Sequence, residues 1–293
     1  MYKILLNTTA LLLLTSQPLF AQEVTTKHEN LTLNAQMQFA EGSSFADGVV
    51  LITHGTLAHN KMELIETLQL LLSDSGLNSL AINLSLGIND RHGMYDCQVP
   101  HKHKHTDAIN EIGAWTNWLK NQGAQNLVLM GHSRGGNQTA WFATNNPTQI
   151  KAQVLLAPAT WTDEGEKNNY QQRYSQSLTN ILSQVEKANK DTWLKDTNFI
   201  YCANSQVKAG AFLNYYQADE RFNTPFLLND IKIPTLVISA SEDKTVSDLP
   251  KMLSQVSNSQ VEHRIIEGAD HYFRDLYADE VIELVVEFLE NQE

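Results

Sequence analysis

Short apolar runs alternate with amphipathic stretches along most of this 293-residue chain. "GVVLITHG" (48–55), "LNSLAINLSL" (77–86), "NLVLM" (126–130), "AQVLLAPA" (152–159), "IPTLVISA" (233–240) and "VEHRIIEGA" (261–269) have strand length and are rich in apolar and β-branched residues. Such runs suit strands covered on both faces. "LTLNAQMQF" (31–39) alternates instead, as an exposed antiparallel edge strand does. Elsewhere apolar positions return at helical spacing: over 60–73, over 106–121, where Ile109, Ile112, Trp115 and Leu119 share a side, from Asn137 to Asn145, and over 277–290. Strands alternating with helices predict an α/β fold, a mostly parallel sheet flanked by helices.

One interval breaks the rhythm. Residues 160–232 are rich in Asn, Gln and Tyr, with helical patches but no convincing buried strand. Connections usually take a few residues, so this length predicts an inserted element with its own structure. A helical cap over a site is the functional reading, an inert surface elaboration the alternative. Its aromatics, among them Tyr170, Phe199, Tyr201, Phe212, Tyr215 and Tyr216, can line an apolar pocket or form the insertion's own core. The expected organisation is a core of 22–159 and 233–293 interrupted by the cap at 160–232.

Residues 1–21 read as a secretory signal peptide, with Lys3 near the start, an apolar stretch dominated by Leu11–Leu14, and Pro18-Leu19-Phe20-Ala21 before a polar segment. The apolar run is broken by Asn7, Thr8 and Thr9 and is short for a bilayer span, so a membrane anchor is the weaker reading. A periplasmic or secreted protein without a stable membrane span is expected. The formal charge of −12 argues against nucleic acid as a partner, since phosphate binding needs a basic surface. In an oxidising compartment Cys97 and Cys202 can pair; otherwise they are two unconnected core residues.

Candidate chemistry begins where "NLVLM" runs into Gly131-His132-Ser133-Arg134-Gly135. This is G-x-S-x-G between a predicted strand and a predicted helix. A serine at such an apex adopts strained dihedrals, and glycines two positions away on either side avoid Cβ clashes; Gly136 lets the helix approach the sheet. The helix N-terminus points free N–H groups at any anion formed there. A serine needs a base, and the base an orienting carboxylate. "ASEDKTV" places Asp243 just past one strand, and "EGADHYF" places His271 just past the next. Glu242 and Asp270 are rival carboxylates. His54-Gly55-Thr56 follows an earlier strand, so a second oxyanion N–H can come from Thr56 or Leu57, the first from Arg134.

With GHSRGG, ASED and GADH in the order Ser133, Asp243, His271, the chain resembles the α/β-hydrolase superfamily over about 45–290, apart from the insertion. The resemblance implies Ser133 as nucleophile, His271 as base, Asp243 as acid, and backbone N–H groups near Thr56 and Arg134 as oxyanion hole. It also implies a cap in the place of the insertion, and it calls for no cofactor.

Four histidines, His92, His101, His103 and His105, crowd one loop. Alternating histidines in extended chain face one side and can bind a metal, but no acidic or cysteine partner is fixed in the pattern, which favours a loop near the cap. The Arg134 side chain can meet an anionic substrate group or make structural ion pairs. The expected function is hydrolysis of a small ester-like substrate through an acyl-enzyme. Thioesterase or peptidase activity uses the same chemistry, a binding module on the same fold is a different class, and a periplasmic metal-binding protein a third.

Overall fold

The computed structural model describes residues 21–292. The expected signal segment therefore lies outside the described residues, except for Ala21. In chain order the core begins with β1 (Gln22–His28), β2 (Leu31–Gln38), β3 (Val49–Thr53), α1 (Glu63–Asp74) and β4 (Ser79–Asn83), continuing with α2 (Asp107–Asn121), β5 (Leu127–His132), α3 (Arg134–Asn145) and β6 (Ala152–Leu156). The inserted segment holds α4 (Asp163–Tyr174), α5 (Leu178–Val185), β7 (Trp193–Phe199), β8 (Cys202–Lys208), α6 (Ala209–Tyr216) and α7 (Thr224–Leu228). The core closes with β9 (Thr235–Ala240), α8 (Leu249–Leu253), β10 (Val261–Ile266) and α9 (Leu276–Glu290).

Eight strands form one sheet in the order β1-β2-β4-β3-β5-β6-β9-β10, parallel from β4 to β10. The chain steps outward from β3 to β4 through α1, then doubles back across β3 to β5 through α2. Right-handed crossovers put helices of opposite stepping direction on opposite faces. Accordingly α1 packs with α9, and α2 with α3. The reversal makes the β3–β5 junction the switch point of the sheet, where a crevice opens at the strand C-termini. The loops after β3 and β5 flank it.

The structure departs from the sequence reading at the N-terminal side. The 31–39 stretch is not an edge strand, because β1 pairs along its outer side from Gln22↔Met37 to His28↔Leu31. Asn34, Gln36 and Gln38 are buried rather than solvated: Asn34 Nδ2 donates to Asp90 Oδ1 and Arg91 O, both at 2.9 Å, and Gln36 donates to Glu23 at 3.2 Å.

The inserted segment has a hydrophobic cluster of its own, built on Tyr170, Phe199, Phe212, Tyr215 and Tyr216, with Leu57 and Tyr95 contributed from outside it. It also contains the antiparallel β7–β8 hairpin, which its polar, irregularly paired sequence concealed. It is tied to the loop before α2. Cys97 is bonded to Cys202, 105 residues on. His101 bridges Val207, with His101 N donating to Gln206 O at 2.8 Å and Lys208 N to His101 O at 2.9 Å. Thr106 N donates to Asn214 Oδ1 at 3.3 Å.

A cross-link closing so long a loop stabilises by up to about 4–5 kcal/mol in the chain-entropy model. The Cys97→Ser/Cys202→Ser double variant is expected to unfold at lower denaturant and to be cleaved faster by protease within 160–232 than in the sheet. Unchanged protease resistance of that segment would show that packing alone holds it.

Candidate active site

The residue that opens α3 has a conformation that L-residues rarely take. Ser133 lies at φ 57°, ψ −124°. Its N–H donates to Leu156 O at 2.9 Å, and its carbonyl accepts from Gly136, Asn137 and Ala159 N–H groups, which pins the turn from both sides. Close packing enforces the glycines. A Cβ on Gly131 would sit 2.5 Å from Thr139 Oγ1 and 2.6 Å from Gly135 O, and one on Gly135 would collide with the carbonyls of Thr53 and His54. A Cβ on Gly136 would meet Pro158 at 2.9 Å. The first turn of α3 is thereby seated against the end of β3.

Asp243 and His271 stand past β9 and β10, as the chain order anticipated, and are hydrogen-bonded. His271 Nδ1 lies 2.7 Å from Asp243 Oδ2, both side chains being buried. Oδ1 of Asp243 accepts from the N–H groups of Thr245 at 2.6 Å and Val246 at 3.0 Å. Burial raises the pKa of this carboxyl, but the bonds from His271 and the two amides outweigh it and hold the group below its ordinary value. The rivals are elsewhere. Glu242 is exposed, and Asp270 accepts from Tyr272 N at 2.9 Å and lies 3.5 Å from Arg274. Among the described residues no hydrogen bond joins Ser133 Oγ to His271; catalytic bonds commonly tighten only when substrate arrives.

His132 is not a second base. Its Nε2–H donates to the backbone carbonyl of His271 at 2.8 Å, and burial, with the nearby His271 ring, lowers its pKa to about 4. It anchors the loop that carries the candidate base. His54 does the same for the turn after β3: its Nδ1–H donates to Gly55 O at 2.9 Å, and its Nε2 accepts from Leu84 N at 3.1 Å.

The 55–58 turn is closed by Ala58 N donating to Gly55 O at 3.3 Å, with Leu57 at φ 56°. Thr56 lines the cavity in front of Ser133, whereas Leu57 is buried in the cluster of the inserted segment. Of the two candidate residues, Thr56 thus borders the cavity and Leu57 does not. Arg134 Nε donates to Thr56 Oγ1 at 3.0 Å, joining the two candidate oxyanion residues.

Arg91, which no sequence pattern singles out, proves central to this turn. Its guanidinium is buried and donates to Leu84 O at 2.7 Å, Ala58 O at 2.8 Å, Asn83 Oδ1 at 2.7 Å and Gly93 O at 2.5 Å, and it lies 3.2 Å from His54 Nε2. Burial lowers its pKa to about 10, with Glu111 opposing, so it is charged at neutral pH. One arginine in a histidine-rich loop carries no periodic signal of such a role.

The four loop histidines separate. His92 is exposed, 3.1 Å from Glu23. His101, His103 and His105 are buried. His101 Nδ1 lies 3.1 Å from His103 Nε2, and His103 Nδ1 lies 2.9 Å from Tyr215 Oη. Tyr95 stacks on His101 with ring centres 4.7 Å apart. They form a packed aromatic column under the inserted segment. Among the described residues no group of three His, Cys, Asp or Glu side chains is placed to hold a metal ion.

The cavity in front of Ser133 measures about 110 Å³ and is walled by both halves of the molecule: Thr56, Arg134, Ala159, Thr160, Thr245 and Val246 from the core, and Glu166, Asn169, Arg173, Ile200, Tyr201, Tyr215 and Tyr216 from the inserted segment. Most aromatics of the insertion thus pack in its own core; Tyr215 and Tyr216 do so and also reach this cavity, as does exposed Tyr201.

The family model for serine aminopeptidase, S33, matches residues 46–274. No curated relative matches the chain. Among solved structures, Est1E from Butyrivibrio proteoclasticus superposes with a TM-score of 0.67 at 17% identity, covering 92% of this chain and 98% of that one. A Pyrococcus furiosus esterase, Pf2001, gives 0.60 at 20% identity over 93% of each chain. An alpha-beta serine hydrolase homologue from Coxiella burnetii gives 0.59 at 16% identity over 93% and 99%. At these identities the likeness is one of fold.

Two measurements test the site. Asp243→Asn is expected to lower kcat by about 10⁴-fold, the scale for loss of an orienting aspartate, while Glu242→Gln and Asp270→Asn stay near wild type. A crippled Glu242 or Asp270 variant would reassign the acid. Stability should also fall on acidification. Burial lowers the pKa of His54 to about 3 and those of His101 and His132 to about 4, against an ordinary 6.5. Below 6.5 the unfolded chain takes up protons that the folded one refuses, so stability present above that pH is lost down to about 4. Glu111 acts oppositely, since burial raises its pKa to about 7, but it is outnumbered. Each net proton amounts to about 1.4 kcal/mol per pH unit, so the urea midpoint should drop between pH 7 and pH 5. A flat profile would contradict the buried neutral histidines.

Proposed function

We propose that this chain, which belongs to the serine aminopeptidase, S33, family of α/β-hydrolases, is a serine hydrolase that cleaves a small ester through an acyl-enzyme. The observation that carries the reading is the buried Asp243–His271 pair at 2.7 Å, standing at the same sheet edge as Ser133 in its strained turn. His271 Nε2, opposite the nitrogen held by Asp243, takes the Ser133 proton as Oγ attacks the carbonyl carbon. The carbonyl oxygen becomes an anion held by the N–H groups of Arg134 and Thr56 and by the positive end of α3. The tetrahedral species collapses as the imidazolium gives its proton to the departing alcohol. Water, deprotonated by the same imidazole, then releases the acid from Ser133.

The ester reading draws on the Pyrococcus furiosus esterase Pf2001, which shares this fold. The family's own description favours amide cleavage as the second reading, since an amine leaves by the same route. Export is supported by the signal-like segment 1–21 and by the Cys97–Cys202 bond, which suits an oxidising compartment.

A fluorophosphonate probe is expected to label wild-type protein on Ser133, and Ser133→Ala to abolish labelling with a loss in kcat of about 10³-fold or more. Matched acyl esters, thioesters and aminoacyl amides rank the bond types. Labelling that persists in Ser133→Ala would overturn the assignment, and preferential amide cleavage would replace esterase by peptidase.

A further inference from the structure

The cavity in front of Ser133 contains more charge than acyl transfer requires. Arg134, Arg173 and Glu166 all line it. Yet among the described residues none of the three forms an ion pair within 4 Å, although surface pairs of that kind occur at other places in the molecule. Arg134 is held at Thr56 by Nε, and its guanidinium lies 5.4 Å from the Tyr215 ring centre. Arg173 is held by Nη1 donating to Ile200 O at 3.1 Å and by stacking 4.3 Å over the Tyr201 ring. Arg134 Nη1 also lies 3.5 Å from His105 Nδ1, so each side chain is fixed by part of its guanidinium and by one aromatic face. In both, Nη2 makes no hydrogen bond to a described residue. Guanidinium groups fixed with free N–H groups toward a cavity are arranged to receive a planar anion. Glu166 offsets one of the two charges, so the cavity keeps one positive charge inside a chain of net −12.

We propose, resting on the hydrolase reading, that this cavity selects short esters whose acid part carries a second carboxylate, bound between the guanidinium groups of Arg134 and Arg173. The acid part is the portion read here because it stays on Ser133 through both steps. Its carbonyl oxygen is held by the Arg134 N–H, so that residue's own side chain reaches the neighbouring atoms of the acyl group. The cavity of about 110 Å³ limits the acid to a few carbons. Tyr215 and Tyr216, both buried, exclude water on the Arg134 side, which strengthens the charge contact there, while Arg173 and Tyr201 are exposed. Hydrolysis of such a hemiester consumes one water and gives a dicarboxylate and an alcohol.

The test compares monomethyl succinate with methyl butyrate. In wild-type protein kcat/KM for the anionic ester is expected to exceed that for the neutral one by about tenfold or more, the value of one net charge contact in a partly desolvated site, and the ratio should fall as salt is raised. The ratio should collapse toward one in Arg173→Gln, recover in part in Arg173→Lys, and rise in Glu166→Gln. Equal or faster cleavage of methyl butyrate, or a ratio indifferent to Arg173, would overturn the subsite while leaving Ser133 chemistry intact. Should neither ester be cleaved, the ester reading fails on its own. Calorimetry of monomethyl succinate against methyl butyrate on Ser133→Ala then decides the subsite separately: tighter binding of the anion upholds it, equal binding removes it.

Discussion

Everything at the sheet edge follows from how closely the first turn of α3 approaches the end of β3. Gly135 has no room for a Cβ because the carbonyls of Thr53 and His54 already occupy it. That contact brings the N-terminal amides of one element beside the turn that follows another, at the point where strand order reverses. Ser133 pays in backbone strain, with φ at 57°, and is held there by four backbone hydrogen bonds that would be lost if it relaxed. Strain of this kind, of order 1–3 kcal/mol, persists only where the surroundings over-determine the conformation. Here helix, strand and the carbonyl of Leu156 do so together.

The second constraint is the cost of burying polar groups near that edge. His54, His132 and Arg91 are each within the core or at its margin, and each is spent on backbone carbonyls and amides rather than on carboxylates. Neutral imidazoles avoid the cost of a buried charge, and Arg91 bears it by hydrogen-bonding through Nε, Nη1 and Nη2. The consequence is a site whose two loops, 54–58 and 271–275, are positioned from behind by side chains that never face substrate.

How much of this was legible in the chain varied with the physics. The inner parallel strands announced themselves because burial on both faces demands unbroken apolar runs, and the Ser133 turn because close packing demands glycine at fixed places. Asp243 and His271 were found through their position past strands, and the 2.7 Å contact joins them. By contrast β1 is too polar to be read, and it turns the alternating β2 from an expected edge strand into an inner one. The β7–β8 hairpin is stabilised by the disulfide and by contacts with a distant loop, which no local pattern records. Arg91 and the His101–His103–Tyr215 chain escaped for the same reason: a hydrogen bond between residues 112 apart leaves no periodicity behind.

The inserted segment is more than a roof over the cavity. Leu57, in the middle of the candidate oxyanion turn, is buried in that segment's hydrophobic cluster and not in the core of the sheet. Its carbonyl accepts from Tyr95 N at 3.0 Å, and Tyr95 in turn stacks on His101, which bridges Val207 of the hairpin. The turn that would hold the oxyanion is therefore gripped between Arg91 on the sheet side and the hairpin cluster on the other. Packing that orders the inserted segment orders Thr56 as well, because the two share neighbours rather than merely facing across a gap. Selection and chemistry are then not independent modules here. A change in the hairpin that loosens Tyr95 or Leu57 acts on the geometry of the N–H groups as directly as a change in the cavity wall.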